Sequence, residues 1–161
     1  MNSRALTLVV VTVLTCATAC TGGQPEAPAG SASSGPEPKT LEAAKTAAQT
    51  TFDRFSGGDF AGAWEMYTVA GQAAITRDDY IKLNEACARK GLAIQLSTAR
   101  MEGTDKAIVI AKQLLAAQSY TMAYERGSWK LEPAREGLAL YAKGADQAIA
   151  AQKKAGTCAN A

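Results

Sequence analysis

The chain has 161 residues with no histidine, and its 17 basic and 15 acidic side chains give a formal net charge of +2. Without histidine, no Ser-His or Cys-His catalytic pair can exist. The near balance of charge gives no electrostatic reason to expect nucleic-acid binding, which uses a basic surface stripe. A chain of this length is expected to hold one domain with a substantial core.

The first twenty residues have the order of a bacterial lipoprotein signal. Arg4 supplies the positive n-region, residues 6–14 form a short apolar h-region, and small residues precede Cys20. The apolar run is shorter than the roughly 20 residues that span a bilayer. The segment resembles a lipobox, which implies cleavage after residue 19 and acylation of Cys20. Ala17 departs from that pattern, since Leu is commonest there, and Cys16 is the competing site.

Residues 20–39 combine the proposed lipidated cysteine with a segment rich in Pro, Gly, Ser and Ala. Four of the five prolines lie here, and apart from Pro no apolar residue is larger than Ala. Such a segment cannot bury enough surface to fold. We therefore predict a disordered tether with an r.m.s. reach of about 25 Å, which connects a membrane anchor on the extracytoplasmic face to a domain over residues 40–161.

The domain begins with three predicted helices. The first has Thr40 as N-cap, an apolar stripe at spacings of three and four, and Gly57 and Gly58 at its end. Asp59 can cap a second helix, which carries Phe60, Ala63, Trp64 and Tyr67 on one face. After a loop around Gly71, Thr76 and Asp79 have capping-box spacing for a third helix, which runs to about Cys87 with Asp78 in its first turn.

Beyond Gly91 the apolar period changes to two, which predicts strands. The first carries Leu92, Ile94 and Leu96, and the second covers residues 107–115 after a turn at 102–105. Tyr120, Met122 and Tyr124 alternate along a third strand, residues 126–127 turn the chain, and Trp129 and Leu131 alternate along a fourth. Pro133 stops the meander, and residues 145–154 form a short C-terminal helix before Gly156. The predicted class is α+β, with helices packed on one face of a curved antiparallel sheet of about four strands.

The order of these segments resembles a known group of proteins. The succession FSGGDFAGAWEMY, ITRDDYIKLNEAC, GSWKLEP and KKAGTC is similar to small secreted lipoproteins of actinobacteria with a nuclear transport factor 2-like, or cystatin-like, domain. The resemblance covers roughly residues 41–158. It implies a cone-shaped sheet around helices, often with a pocket inside the cone. It implies no single chemistry, because one fold hosts many functions.

Cysteine usage gives a separate prediction. Cys16 leaves with the signal peptide and Cys20 carries lipid, so Cys87 and Cys158 remain in an oxidising compartment. We expect them to form one disulfide, the alternative being two free thiols. A metal site is disfavoured because the chain lacks histidine and has too few free cysteines. No cofactor is expected.

Six side chains are candidates for a pocket. Tyr67, Tyr80 and Asp79 would lie near the mouth of the cone, and Tyr120, Tyr124 and Trp129 alternate on strands and could line its interior. Packing in the core is the better explanation of the aromatic residues, and a charge at a helix N-terminus is the simpler explanation of Asp79. No motif of a serine hydrolase, phosphate loop or dinucleotide site is present, so no catalytic residue is assigned.

Two functions remain open at this point. The first is a non-catalytic binding or interaction module whose partner is an envelope protein, cell-wall material or a small apolar ligand. The alternative is a small pocket enzyme of isomerase or dehydratase type, using a tyrosine and a buried carboxylate. A carboxylate with a raised pKa inside a cavity beside a tyrosine would favour the enzyme.

Overall fold

The computed structural model describes residues 35–159 and has the predicted α+β class, with helices on one face of a curved antiparallel sheet and a short C-terminal helix. Within the described residues the helices are α1 (Leu41–Gly57), α2 (Phe60–Glu65), α3 (Val69–Ala74), α4 (Arg77–Cys87), α5 (Arg135–Tyr141) and α6 (Ala145–Lys154). The strands are β1 (Gln95–Met101), β2 (Lys106–Gln113), β3 (Ala116–Glu125) and β4 (Ser128–Glu132). The predicted signal peptide and Cys20 lie outside the described residues.

The sheet is a meander in which each strand pairs with the next in the chain. Two-residue loops join β2 to β3 and β3 to β4. Arg126 and Gly127, in the second loop, both have positive φ angles of 51° and 86°. That backbone matches the right-handed twist of a tight hairpin. The register of β1 shifts between Leu96 and Thr98, so that its apolar residues stay on the helix side beyond the shift.

The core lies between α1, α2 and α4 and one face of the sheet. Small residues allow close approach, since Ala44 and Ala48 of α1 and Ala107 of β2 are fully buried. Larger side chains, above all Trp129 and Phe52, fill the remaining space. Burial of this interior apolar surface is the main favourable contribution to folding.

The predicted helix caps are present. The Thr40 hydroxyl accepts a hydrogen bond from the Ala43 N–H at 3.3 Å, and the Thr76 hydroxyl accepts one from the Asp79 N–H at 3.2 Å. The Asp59 carboxylate accepts from the Gly62 N–H at 2.9 Å. Each bond satisfies one of the donors that the first turn of a helix leaves free.

Two short helices were not predicted. Helix α3 replaces the loop expected around Gly71, and the Thr68 hydroxyl caps it by accepting from the Gly71 N–H at 3.2 Å. A Cβ atom at Gly71 would lie 2.7 Å from Cγ of Pro133, so this close approach requires glycine. Helix α5 begins two residues after Pro133, without a side-chain cap.

The strand boundaries also differ from the prediction. Strand β1 begins at Gln95, not at Leu92, because side chains, and not a neighbouring strand, form the hydrogen bonds to the backbone carbonyls of Leu92 and Ile94. The Gln113 amide donates to the Leu92 carbonyl at 3.1 Å, and the Gln49 amide donates to the Ile94 carbonyl at 3.0 Å. Strand β2 ends at Gln113, two residues earlier than expected.

The predicted disulfide between Cys87 and Cys158 is confirmed, with the sulfur atoms 2.10 Å apart. It joins the end of α4 to the segment after α6. A backbone hydrogen bond of 2.9 Å from the Ala159 N–H to the Cys87 carbonyl continues the same contact.

The last residues of the predicted tether contact the sheet. The Glu37 N–H donates to the Gly127 carbonyl at 2.7 Å, and the Glu37 carboxylate accepts from the Trp129 N–H at 2.9 Å. The Trp129 indole donates to the Pro38 carbonyl at 3.0 Å, and Lys39 forms an ion pair with Asp105. Residues 36–39, which we call the strap, therefore pack on the folded domain.

Candidate functional site

Three tyrosine hydroxyls meet beside the core, and we call them the tyrosine cluster. The Tyr67 hydroxyl lies 3.2 Å from that of Tyr80 and 3.2 Å from that of Tyr141. Tyr80 belongs to α4 and Tyr141 ends α5. Three hydroxyls have three protons, and two hydrogen bonds between them use two, so one O–H remains as a donor for another group.

Backbone pairing fixes the position of Tyr67 at the centre of this cluster. The Thr68 N–H donates to the Leu131 carbonyl at 3.0 Å, and the Leu131 N–H donates to the Met66 carbonyl at 2.8 Å. These bonds form an isolated parallel bridge between Tyr67 and Leu131. Tyr67 is thus attached to the outer edge of β4, and its ring stacks edge-on against Tyr80 at a centroid distance of 5.3 Å.

Burial keeps the tyrosine cluster neutral. Loss of hydration on burial raises the pKa of Tyr67 well above its ordinary value, and electrostatic repulsion from Tyr80 is the second cause. Desolvation also raises the pKa of Tyr80 and of Tyr141, with a further contribution in each from a neighbouring tyrosine of the cluster. A phenolate is disfavoured in this environment because a charge loses its hydration there. At neutral pH the cluster therefore supplies hydrogen-bond donors.

An apolar cavity of about 100 Å³ lies next to the cluster, between α1 and the sheet. Its lining consists of Thr51, Phe52, Phe55, Tyr80, Ile94, Tyr120 and Leu131. The Thr51 hydroxyl already donates to the Ala47 carbonyl at 2.8 Å. Of the three tyrosines in the cluster, Tyr80 is the one that lines this cavity.

A second cavity of about 370 Å³ lies between β3 and α5. Tyr120 lines both cavities, and Tyr141 of the cluster lines the second. The Tyr120 ring packs on Phe52 at a centroid distance of 4.9 Å, and burial raises the pKa of its hydroxyl. The Tyr120 hydroxyl donates to the Gln118 side chain at 3.1 Å, and Gln118 also lines the second cavity.

Five of the six sequence candidates, all aromatic, divide into two groups. Tyr67, Tyr80 and Tyr120 lie together at the cluster and the cavities. Tyr124 and Trp129 lie at the other end of the sheet, where their rings are 5.4 Å apart and face the strap.

Asp79 occupies the first turn of α4 and does not line the apolar cavity. Sequence reasoning missed Tyr141, which follows the apolar pair Leu138 and Leu140. That short apolar run is the one signal that could have indicated it.

Carboxylates are not part of the buried interior as far as the structure describes the chain. The buried polar side chains among residues 35–159 are Thr51, Ser56 and Thr68. Within the same residues no three His, Cys, Asp or Glu side chains are grouped so as to hold a metal ion.

Comparison of the chain with protein-family models, with curated proteins and with solved structures gave no match. In the part of the chain that the structure describes, no helix is both long enough and apolar enough to cross a bilayer.

Proposed function

We propose that this protein is a lipoprotein anchored through Cys20 to the extracytoplasmic face of the cell membrane, with a nuclear transport factor 2-like domain that binds a small apolar or amphipathic ligand without transforming it. The observation that carries the binding proposal is the apolar cavity bordered by the tyrosine cluster. An apolar space with a few fixed hydrogen-bonding groups is the usual composition of a small-molecule site.

The membrane anchor rests on the sequence of the first twenty residues. A basic n-region, a short apolar run and small residues before Cys20 are typical of lipoprotein export. One acyl chain gives only marginal binding to a bilayer, so stable attachment needs two or more chains. The Cys87–Cys158 disulfide fits the same location, because disulfides persist in oxidising compartments.

The composition of the site favours binding over catalysis. General acid–base catalysis works best with a group whose pKa lies near the working pH. The tyrosine cluster has raised pKa values, and no carboxylate lines the apolar cavity. Glu136, which lines the second cavity together with Tyr141, is exposed. The cluster can therefore orient a polar group of a ligand but is poorly suited to abstract a proton.

The anchor is tested on the full chain expressed in a bacterial host that acylates lipoproteins. We expect wild-type protein to incorporate radiolabelled palmitate and to enter the detergent phase of a Triton X-114 separation. Cys20→Ala should abolish both, whereas the matched variant Cys16→Ala should behave like wild type. The opposite pattern would move the anchor to Cys16, and palmitate labelling of Cys20→Ala would overturn the assignment.

The binding proposal is tested with 1-butanol, a probe with a short apolar chain and one hydroxyl group that suits a cavity of about 100 Å³. We expect butanol to shift the NMR signals of Ile94 and Leu131, whose side chains line the cavity. Tyr80→Phe removes the one hydroxyl of the cluster that borders the cavity and should weaken binding, whereas Tyr124→Phe, at the other end of the sheet, should leave it unchanged. Equal effects of the two variants, or shifts confined to the surface, would refute this site.

A further inference from the structure

The loop between β2 and β3 exposes two leucines at its tip. Leu115 is fully exposed and Leu114 is 69% exposed, and the next two residues, Ala116 and Ala117, are also exposed. Single apolar side chains on a surface need no explanation. Here the leucines are adjacent, they occupy both positions of a two-residue loop, and they lie at the far end of a hairpin. We call this loop the leucine tip.

The backbone of the leucine tip is also unusual. Leu114 has a φ angle of 55°, a left-handed conformation that is disfavoured for leucine. Tight hairpin loops normally place Gly, Asn or Asp at such positions, as Gly127 illustrates in the next loop of the same sheet. The leucine tip therefore departs from two local rules. It has leucine where a tight turn favours Gly, Asn or Asp, and it exposes two large apolar side chains to water. Such departures concentrate at functional positions.

Two basic residues lie near the tip end of this hairpin. Lys112 is exposed at the end of β2, two residues before Leu114. The side chain of Gln113 bonds to the Leu92 carbonyl, which holds the loop carrying the exposed residue Arg89 beside the same end of the hairpin. The ammonium of the next residue, Lys90, lies over the Phe60 ring, 5.3 Å from its centroid. In a bilayer surface, the apolar acyl chains lie below a layer of anionic headgroups. The exposed leucines at the tip and the basic side chains next to them have the same order.

We infer that the leucine tip inserts into the interfacial region of an anionic lipid bilayer, while Arg89 and Lys112 contact the lipid phosphates. A protein partner is a poorer occupant, because a specific interface buries about 800 Å² on each side and requires matching shape. Two leucines at the end of a loop offer much less area. A bilayer needs no shape complementarity, and binding to it increases with the apolar area inserted and with the basic charge.

This inference rests on the proposed membrane location, and the geometry of the chain permits it. The strap contacts Gly127, at the opposite end of β3 from the leucine tip. The ten residues of β3 place these two ends about 33 Å apart. The chain between Cys20 and Pro36 can extend to about 50 Å. An anchored domain can therefore lie along the membrane with its tip in contact.

The test uses the chain from Thr21 to Ala161, which lacks both acylatable cysteines and the apolar run of residues 6–14, purified with its disulfide formed. Binding is measured by flotation with vesicles of phosphatidylcholine and phosphatidylglycerol in a 7:3 ratio. Combined Leu114→Asn and Leu115→Ser should lower the partition coefficient by about tenfold or more, because the variant lacks the favourable free energy of moving two leucine side chains from water into the bilayer. Asparagine suits the positive φ, so the fold is retained, and circular dichroism checks this.

Two matched variants complete the test. Val69→Ser changes an apolar residue that is 43% exposed elsewhere on the domain, and it should leave vesicle binding unchanged. Combined Arg89→Ser and Lys112→Ser should reduce the preference for phosphatidylglycerol over pure phosphatidylcholine and weaken its dependence on salt.

Three outcomes would overturn the inference. These are unchanged binding of the leucine variant, an equal loss in Val69→Ser, and self-association without lipid that depends on the leucines, which would assign the tip to a second copy. Sedimentation velocity detects the last. Because none of these proteins is acylated, failure here is separate from failure of the Cys20 anchor, which palmitate labelling decides.

Discussion

Raising the pH should destabilise the domain steeply once tyrosine begins to ionise. The tyrosine cluster has pKa values raised above their ordinary value of about 10 by burial. Above pH 10 the unfolded chain releases protons that the folded chain retains. The free energy of unfolding is therefore fully present below pH 10 and is lost as the pH rises toward the folded pKa values.

The magnitude follows from the number of buried hydroxyls. Each tyrosine that stays protonated in the fold contributes a slope of about 1.4 kcal/mol per pH unit, and three contribute about 4 kcal/mol per unit. A domain of this size is stable by roughly 5–15 kcal/mol, so pH 11 should remove a large part of its stability. Tyr67→Phe should reduce the slope by about a third.

Urea unfolding at pH values between 8 and 11.5 measures this slope, with absorbance near 295 nm reporting tyrosinate in the folded protein. We expect a stability that is nearly constant to pH 9.5 and then falls, with the part of the absorbance rise that comes from the three tyrosines of the cluster coincident with unfolding. A stability that stays level from pH 10 to 11, or an unchanged slope in Tyr67→Phe, would refute the reasoning that the cluster is buried and protonated.

Three further changes test other parts of the structure. Combined Cys87→Ala and Cys158→Ala opens a loop with a sequence separation of 71 residues and should lower the free energy of unfolding by about 4 kcal/mol in urea; a loss below about 1 kcal/mol would contradict this. Arg126→Asn suits a φ of 51° and should raise stability by up to about 1 kcal/mol, whereas Arg100→Asn, within β1, should not. Glu37→Ala leaves the Trp129 N–H without its acceptor and should cost about 1–2 kcal/mol in thermal unfolding, while the exposed variant Glu42→Ala should cost less.

Sequence patterns were sufficient where the deciding interactions are local. Thr40 and Thr76 cap their helices through bonds to residues three positions away. Residues 126 and 127 form the predicted turn, because glycine and a two-residue spacing favour it. The Cys87–Cys158 pair followed from counting cysteines under the expectation that the chain is exported.

Elements held by distant contacts could not be predicted. Helix α5 has seven residues and no side-chain cap, so its formation depends on packing against the rest of the domain. Tyr141 joins the tyrosine cluster through a bond to Tyr67, 74 residues away. Alternation places Tyr120 and Tyr124 on the same face of β3, but it does not show that one borders a cavity and the other the strap.

The strap gives the domain a defined point at which mechanical load enters. Tension on the chain preceding Pro36 first reaches the backbone bond between Glu37 and Gly127, and then the bonds of Trp129. These bonds lie at the end of one hairpin, so a pull would open them successively before it reached α1. The disulfide lies elsewhere, joining α4 to the C-terminal segment. Because Trp129 is a fully buried core residue, opening of the strap would pass the load next to the core beside β4.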